Sequence, residues 1–254
     1  LIRTTPWTTS RDAGLNADFA GINFYDGQGL LVNTDAIDAT SALDLDGATI
    51  CVGIGTTTEG NLADYFEVNN MEYTAVNSDD ADKAREKFIN GECDVWTGDM
   101  SAMISQKWAM EEDGVDFEMA IMPELLSKEP LASATRDYDT EWNEVVTWVW
   151  YGMLTAEELG IDSTNYGEAA AKCDDGGIPN VCRLLTQNLG LGTEANPLSA
   201  TWMQSVLAAV GNYEEAYTES FCTYDDSGDC LMDRAGSANA PWWEGGLQYA
   251  PPMR

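Results

Sequence analysis

The chain has 254 residues, of which 44% are hydrophobic and 10% aromatic, a composition typical of a globular protein with one or two domains. Twelve basic residues stand against 44 acidic ones, which gives a net charge of −32, and there is no histidine. Such a surface repels phosphate backbones and argues against nucleic acid as a partner. The sequence contains no uninterrupted apolar run of about 18 residues, so it does not predict a membrane-spanning helix. We expect an acidic protein suited to saline surroundings, where screening weakens carboxylate repulsion.

Four short runs rich in β-branched and apolar residues predict strands, at residues 48–53, 73–76, 93–97 and 117–122. Helical patterns separate them. The helix predicted over residues 78–90 begins at the capping residues Ser78 and Asp79. This alternation predicts an open, mainly parallel α/β sheet with right-handed crossovers.

Two extended segments, residues 23–32 and 130–135, flank this block. A small α/β domain that one strand enters and another leaves is the layout of a two-lobed protein hinged at two crossing strands. We expect three parts along the chain. Residues 1–32 form part of lobe 1 and the first hinge strand, residues 33–129 form lobe 2, and residues 130–254 form the return hinge strand, the remainder of lobe 1 and a C-terminal helical extension.

The cysteines number six: Cys51, Cys93, Cys173, Cys182, Cys222 and Cys230. There is no CxxC pair and no histidine, so a zinc site is not expected. An even count favours disulfides and an oxidising compartment, while free thiols in a cytoplasmic protein are the alternative. Many pairings are possible, and closeness in sequence favours Cys173–Cys182 and Cys222–Cys230.

The turn that follows the first predicted strand is a candidate anion site. Thr56 and Thr57 lie there between a strand and a helix, where backbone N–H groups at a helix start suit a carboxylate or a phosphate. No lysine stands where a P-loop needs one, which disfavours a nucleotide. The alternative is an ordinary helix N-cap.

Two charged residues complete the set of candidates. Asp99 follows the third predicted strand, so it shares the carboxyl edge of the sheet with Thr57 and suits an ammonium group. Arg11, flanked by hydroxyl residues, suits bidentate capture of a carboxylate. The alternatives are a helix N-cap for Asp99 and the neutralisation of nearby acids for Arg11.

Catalysis has little support, since the chain lacks histidine, a GxSxG sequence and a nucleophilic cysteine context. The acidic turns at residues 44–47 and 225–229 suggest calcium only weakly, because neither completes an EF-hand loop. We expect both to be solvated turns. No cofactor or metal is expected.

Six phrases spread over the chain resemble the family of periplasmic polar amino-acid-binding proteins, and specifically its general L-amino-acid-binding branch. They are RTTPWTTSRD at 3–12, FYDGQG at 24–29, CVGIGTTTE at 51–59, GECDVWTGD at 91–99, LSKEPL at 126–131 and GGLQYAPPMR at 245–254. The resemblance implies the type II two-lobed periplasmic-binding-protein fold, with open α/β sheets joined by two crossing hinge strands. The family has a further section before the first phrase, so we expect the first lobe to be incomplete.

The resemblance also implies roles for individual residues. Arg11 would grip the α-carboxylate of a free amino acid, Thr57 with its neighbour Thr56 would donate to the same group, and Asp99 would pair with the α-ammonium. Other expected ligand contacts are Thr4, Trp7 and Tyr25.

Two further expectations come from the resemblance. Pro6 departs from the family, which often has serine or threonine there, and proline has no N–H to donate. A family-like order makes the strands of Cys51 and Cys93 neighbours, so we expect a disulfide between them.

The function implied is extracytoplasmic binding of free L-amino acids and their delivery to the membrane permease subunits of an ABC importer. We expect a periplasmic monomer that is not an enzyme, with closure of the lobes bringing Arg11 toward Thr57 and Asp99. The alternatives are a periplasmic dehydratase of the prephenate or arogenate type on the same scaffold, and a sensory ectodomain followed by a membrane span.

Overall fold

The computed structural model describes residues 3–14, 17–222 and 229–254. Its strands are β1 (Arg3–Pro6), β2 (Ala17–Asp26), β3 (Gln28–Asn33), β4 (Thr49–Gly53), β5 (Thr74–Ser78), β6 (Val95–Asp99), β7 (Met119–Ile121) and β8 (Glu129–Arg136). Its helices are α1 (Thr9–Gly14), α2 (Thr57–Val68), α3 (Ala81–Ile89), α4 (Met100–Glu112), α5 (Thr140–Glu158), α6 (Tyr166–Ala171), α7 (Pro179–Thr186), α8 (Trp202–Val210) and α9 (Tyr213–Phe221). None of the described helices is long and apolar enough to cross a membrane.

The chain divides into two compact units. Unit 1 comprises Leu1–Tyr25 and Pro130–Arg254, and unit 2 comprises Asp26–Glu129. The backbone passes between the units inside β2 and again at the start of β8. The expected boundary at residue 32 differs from this division, because β3 belongs to the sheet of unit 2 and not to a connecting strand.

The sheet of unit 2 is mixed, in the order β5-β4-β6-β3-β7. β4 pairs in parallel with β5 and β6, whereas β3 pairs antiparallel with both β6 and β7. The four strands predicted from the sequence therefore run in one direction, and the α/β class is confirmed. The parallel strands β6 and β7 are separated by β3, whose Leu30, Leu31 and Val32 are completely buried.

Alternating side chains give this sheet a buried core on each face, as the pleat of a strand requires. One core contains Leu30, Val32, Ile50, Val52, Leu62, Phe66 and Val95. The other contains Leu31, Cys51, Phe88, Cys93, Trp96 and Met110. Helices α2 and α3 each contribute a phenylalanine to one of these cores, which fixes the helices to opposite faces of the sheet.

All three expected disulfides are present. Cys51–Cys93 lies fully buried in unit 2 with a Cα–Cα distance of 5.6 Å. Cys173–Cys182 and Cys222–Cys230 lie in unit 1, with Cα–Cα distances of 5.5 Å and 3.9 Å.

Side-chain caps define where the helices of unit 2 begin. Asp80, and not Ser78 or Asp79, caps α3 by accepting a hydrogen bond from the backbone N–H of Lys83 at 2.8 Å. The start differs from the predicted one because Ser78 pairs with Gly53 and so still belongs to β5.

The acidic turn at residues 44–47 has a structural role, since Asp44 accepts hydrogen bonds from the backbone N–H groups of Thr40 and Ser41. These bonds lower the pKa of the Asp44 carboxyl. In the second acidic turn, residues 225–228 lie outside the described residues.

Helix α4 is capped from a distant part of the chain. Asp26, the last residue of β2, accepts hydrogen bonds from the backbone N–H of Ser101 at 3.3 Å and from its hydroxyl at 2.5 Å. The carbonyl of Gly27 accepts from the N–H of Met100 at 2.7 Å. Burial raises the pKa of the Asp26 carboxyl, and the hydrogen bonds from Ser101 and Gly27 oppose this rise.

In unit 1 the sheet has the order β1-β8-β2, and helices α5 to α9 form the main core. Arg234 makes a two-pronged ion pair with Glu157, at 2.7 Å and 3.0 Å, and both side chains are largely buried. The guanidinium also lies 4.5 Å from the ring centroid of Tyr213. Arg234 thus ties the C-terminal segment to α5 and α9.

The disulfides should stabilise the protein according to the length of chain that they close. Replacing both Cys51 and Cys93 by alanine should lower the free energy of unfolding by about 4 kcal/mol, because the bridge restricts a long loop in the unfolded chain. The matched Cys173→Ala/Cys182→Ala pair should cost about 3 kcal/mol, since its loop is short. Urea unfolding measures both, and a larger loss for the short loop would contradict this expectation.

Asp26 should make stability depend on pH in one direction. Since its pKa is raised in the folded state, the unfolded chain loses the proton first as the pH rises, so wild type loses stability relative to Asp26→Asn. The unfolding free energy of wild type minus that of Asp26→Asn, followed by urea unfolding from about pH 4 to 7, should fall and then level off. Asp64→Asn, at an exposed position of α2, controls for removal of one acidic charge. A constant difference between wild type and Asp26→Asn would exclude this role.

Candidate functional site

The carboxyl edge of the unit 2 sheet brings two of the predicted residues to the same side. Thr57 is the first residue of α2, which follows β4, and Asp99 is the last residue of β6. Because β4 and β6 are parallel neighbours, the loops after them emerge at one edge. The edge therefore carries a helix start and a carboxylate.

The two threonines at the start of α2 differ in their roles. The hydroxyl of Thr56 donates to the carbonyl of Gly53 at 2.7 Å and accepts from the N–H of Glu59 at 3.3 Å, so Thr56 is the helix cap. The Glu59 carboxylate in turn accepts from the N–H of Gly55 at 2.8 Å. Thr57 is exposed, and no hydrogen bond of its hydroxyl is found in the described part of the chain. For Thr56 the N-cap alternative therefore holds, and Thr57 is the better candidate donor.

Asp99 occupies the N-cap position of α4 but makes no capping hydrogen bond with its side chain. Asp26 and the carbonyl of Gly27 serve the first N–H groups of α4 instead. The side chain of Asp99 is partly exposed. The N-cap alternative for Asp99 is thus not what the structure shows.

Arg11, in unit 1, lies in α1 and is partly buried. Its Nη1 donates to the carbonyl of Pro6 at 3.1 Å, so the proline that departs from the family still contributes a backbone acceptor. Arg11 takes part in none of the ion pairs between described residues.

The remaining expected contacts also lie in unit 1. Trp7 stacks on Phe19 with ring centroids 5.4 Å apart, and its indole N–H donates to Asp12 at 3.2 Å. Both backbone groups of Tyr25 bond to the side chain of Asn239, at 2.7 Å and 2.8 Å. Burial raises the pKa of the Tyr25 phenol. The backbone of Thr4 lies in β1, but its side chain lies outside the described residues.

Two residues that support the edge of unit 2 were missed from the sequence. Asp26 caps α4, and Gln28 donates to the carbonyl of Thr58 and to the hydroxyl of Thr97, both at 3.0 Å. Both lie in the FYDGQG phrase, directly before the apolar run at residues 30–32. Polar residues at the end of a buried strand are the sequence signal that could have pointed to them.

Comparison with known proteins places the chain among transport proteins. The chain is 40% identical over its whole length to the glutamate/glutamine/aspartate/asparagine-binding protein of Rhodobacter capsulatus, and it covers 71% of that protein. It is 38% identical to the general L-amino acid-binding periplasmic protein of Rhizobium johnstonii, again covering 71%. No family model matches the sequence.

A solved structure supports the same assignment. An ABC transporter/periplasmic binding protein from Brucella ovis, solved with glutathione bound, is 39% identical and superposes with a TM-score of 0.83. The match covers 98% of this chain and 75% of that one. The chain belongs to the family of periplasmic amino-acid-binding proteins of ABC transporters.

Proposed function

We propose that this protein binds free L-amino acids through their α-carboxylate and α-ammonium groups and delivers them to the permease subunits of an ABC importer. The observation that carries the proposal is the carboxyl edge of unit 2, where an exposed helix start at Thr57 and the carboxylate of Asp99 follow parallel neighbouring strands.

The start of α2 suits the ligand's carboxylate. Backbone N–H groups in the first turn of a helix lack partners within it and carry partial positive charge. The hydroxyl of Thr57 adds a donor next to them. Within unit 1, Arg11 offers a guanidinium, a group that can hold a carboxylate with two parallel hydrogen bonds, and it takes part in none of the ion pairs between described residues. In a chain of net charge −32, such cationic groups are scarce, which gives each of them weight.

Asp99 suits the ligand's ammonium group. A carboxylate in a partly buried position forms shorter and stronger hydrogen bonds with an ammonium group than neutral acceptors do. Because Asp26 caps α4, the carboxylate of Asp99 is not required for that task.

The ligand class follows from what the relatives' ligands share. The Rhodobacter capsulatus protein is named for glutamate, glutamine, aspartate and asparagine, and the Brucella ovis protein was solved with glutathione. Glutathione also carries a free α-carboxylate and α-ammonium on its γ-glutamyl end, so the head group is common to all of these ligands. We propose recognition of this head group. The three disulfides fit an oxidising compartment, and we propose the periplasm.

Removal of the Asp99 carboxylate or of the Thr57 hydroxyl should weaken ligand binding without unfolding the protein. Asp99→Asn and Thr57→Val should each raise the Kd for bound amino acids, with the larger effect on the order of 100-fold for Asp99→Asn, because a desolvated ammonium would lose its charged partner. Isothermal titration against the twenty L-amino acids and glutathione measures this, with Asp64→Asn as the exposed-acid control.

An unchanged Kd of Asp99→Asn for the bound amino acids would contradict the proposal, and so would the absence of binding of all these ligands by wild type. The dehydratase alternative is checked by incubating wild type with prephenate and with arogenate. We expect no product, and turnover would favour the enzyme.

A further inference from the structure

Gln28 forms a buried link between α2 and β6, the two elements that carry the proposed ligand-binding residues Thr57 and Asp99. Only 1% of its surface is exposed, and both N–H groups of its amide are used. One donates to the carbonyl of Thr58 in the first turn of α2, and the other to the hydroxyl of Thr97 in β6, each at 3.0 Å. Thr58 is the neighbour of Thr57, and Thr97 lies two residues before Asp99.

The surroundings hold this amide in one orientation. The Thr97 hydroxyl donates to the carbonyl of Gly29 at 2.8 Å, so only its lone pairs are left to face Gln28. The Thr58 carbonyl is also an acceptor, so it is the nitrogen of the amide that must point toward both groups. The backbone of Gln28 is fixed as well, because it lies opposite Asp99 in the β3–β6 pairing.

A second observation separates this amide from an ordinary stabilising contact. Its carbonyl oxygen is buried and has no hydrogen-bond partner among the described residues. A buried acceptor without a partner destabilises the fold, which offsets what the two donated bonds contribute. The net stabilisation expected from Gln28 is therefore small, although its contacts are specific in direction.

We propose that Gln28 is a positioning residue that sets the spacing between the start of α2 and Asp99, and with it the fit of the ligand's head group. The inference rests on the proposed function. In an α-amino acid both charged groups are attached to one carbon, so their separation does not adapt to the protein. The apolar contacts of Leu62 and Phe66 hold α2 on the sheet, but such packing has no preferred direction and fixes the helix less strictly along the edge.

The test compares Gln28→Met with Gln204→Met. Methionine keeps the length of glutamine and removes the two donors as well as the carbonyl without a partner. Gln204 lies on α8 in unit 1 and also donates from its amide to a backbone carbonyl, that of Leu185 at 2.8 Å, so it is the matched control. For each variant, urea unfolding and the Kd for every L-amino acid that wild type binds are measured.

We expect Gln28→Met to raise the Kd about tenfold or more while its unfolding midpoint stays close to that of Gln204→Met, whose Kd should not change. The factor should be the same for every amino acid bound, because the head group is common to all. Thr97→Val, which removes one of the two acceptors and keeps the side-chain shape, should weaken binding in the same way but less.

The outcomes separate this inference from the function on which it rests. If wild type binds no amino acid, the proposed function fails, and the inference with it. If wild type binds and Gln28→Met and Thr97→Val keep its Kd, only the positioning role is overturned. A loss that differs widely between amino acids, or that follows the loss of stability in both glutamine variants, would also overturn it.

Discussion

The direction of one strand determines the chemistry of unit 2. β3 runs antiparallel between β6 and β7, so its first residue lies at the edge where the parallel strands end. That edge is also where α2 and α4 begin. The antiparallel direction of β3 thus places Asp26 and Gln28, which are distant in sequence from α2 and α4, beside the starts of these helices.

Two separate consequences follow from this direction. Asp26, just before β3, satisfies the first turn of α4 from outside the helix, so the residue at the N-cap position does not have to. Gln28, the first residue of β3, joins α2 to β6 with its two N–H groups. Asp26 thus caps α4 in place of Asp99. The bonds of Gln28 hold the start of α2 and Asp99, the two proposed ligand-binding positions, at a set separation. Binding strength at such a site depends on geometry as much as on charge.

Much of this fold could be predicted from local patterns, and the failures have a physical cause. The runs that became β4, β5 and β6 are short, apolar and flanked by turn residues, which is a local signal. The start of α3 was placed too early because Ser78, Asp79 and Asp80 can all cap a helix, and only the pairing of β5 decides between them. The place of β3 inside the unit 2 sheet could not be predicted, because an apolar run shows that a strand is buried but not which strands lie beside it.

The same distinction applies to the site. Thr57 and Asp99 could be placed on one edge because each follows a strand of the α/β alternation, and parallel strands all end at the same edge of a sheet. The role of Gln28 could not, since the polar residues of the FYDGQG phrase mark the position but not its partners, and Thr58 and Thr97 lie far along the chain. Thr56 and Thr57 look alike in sequence, and only the hydrogen bonds of Thr56 show which of them is the cap.

A crystal structure of the protein with a bound L-amino acid tests the central claim most directly. The account predicts the ligand's ammonium nitrogen about 3 Å from a carboxylate oxygen of Asp99, and its carboxylate at a similar distance from the N–H and hydroxyl groups at the start of α2. A ligand that contacts neither Asp99 nor the first turn of α2 would contradict it.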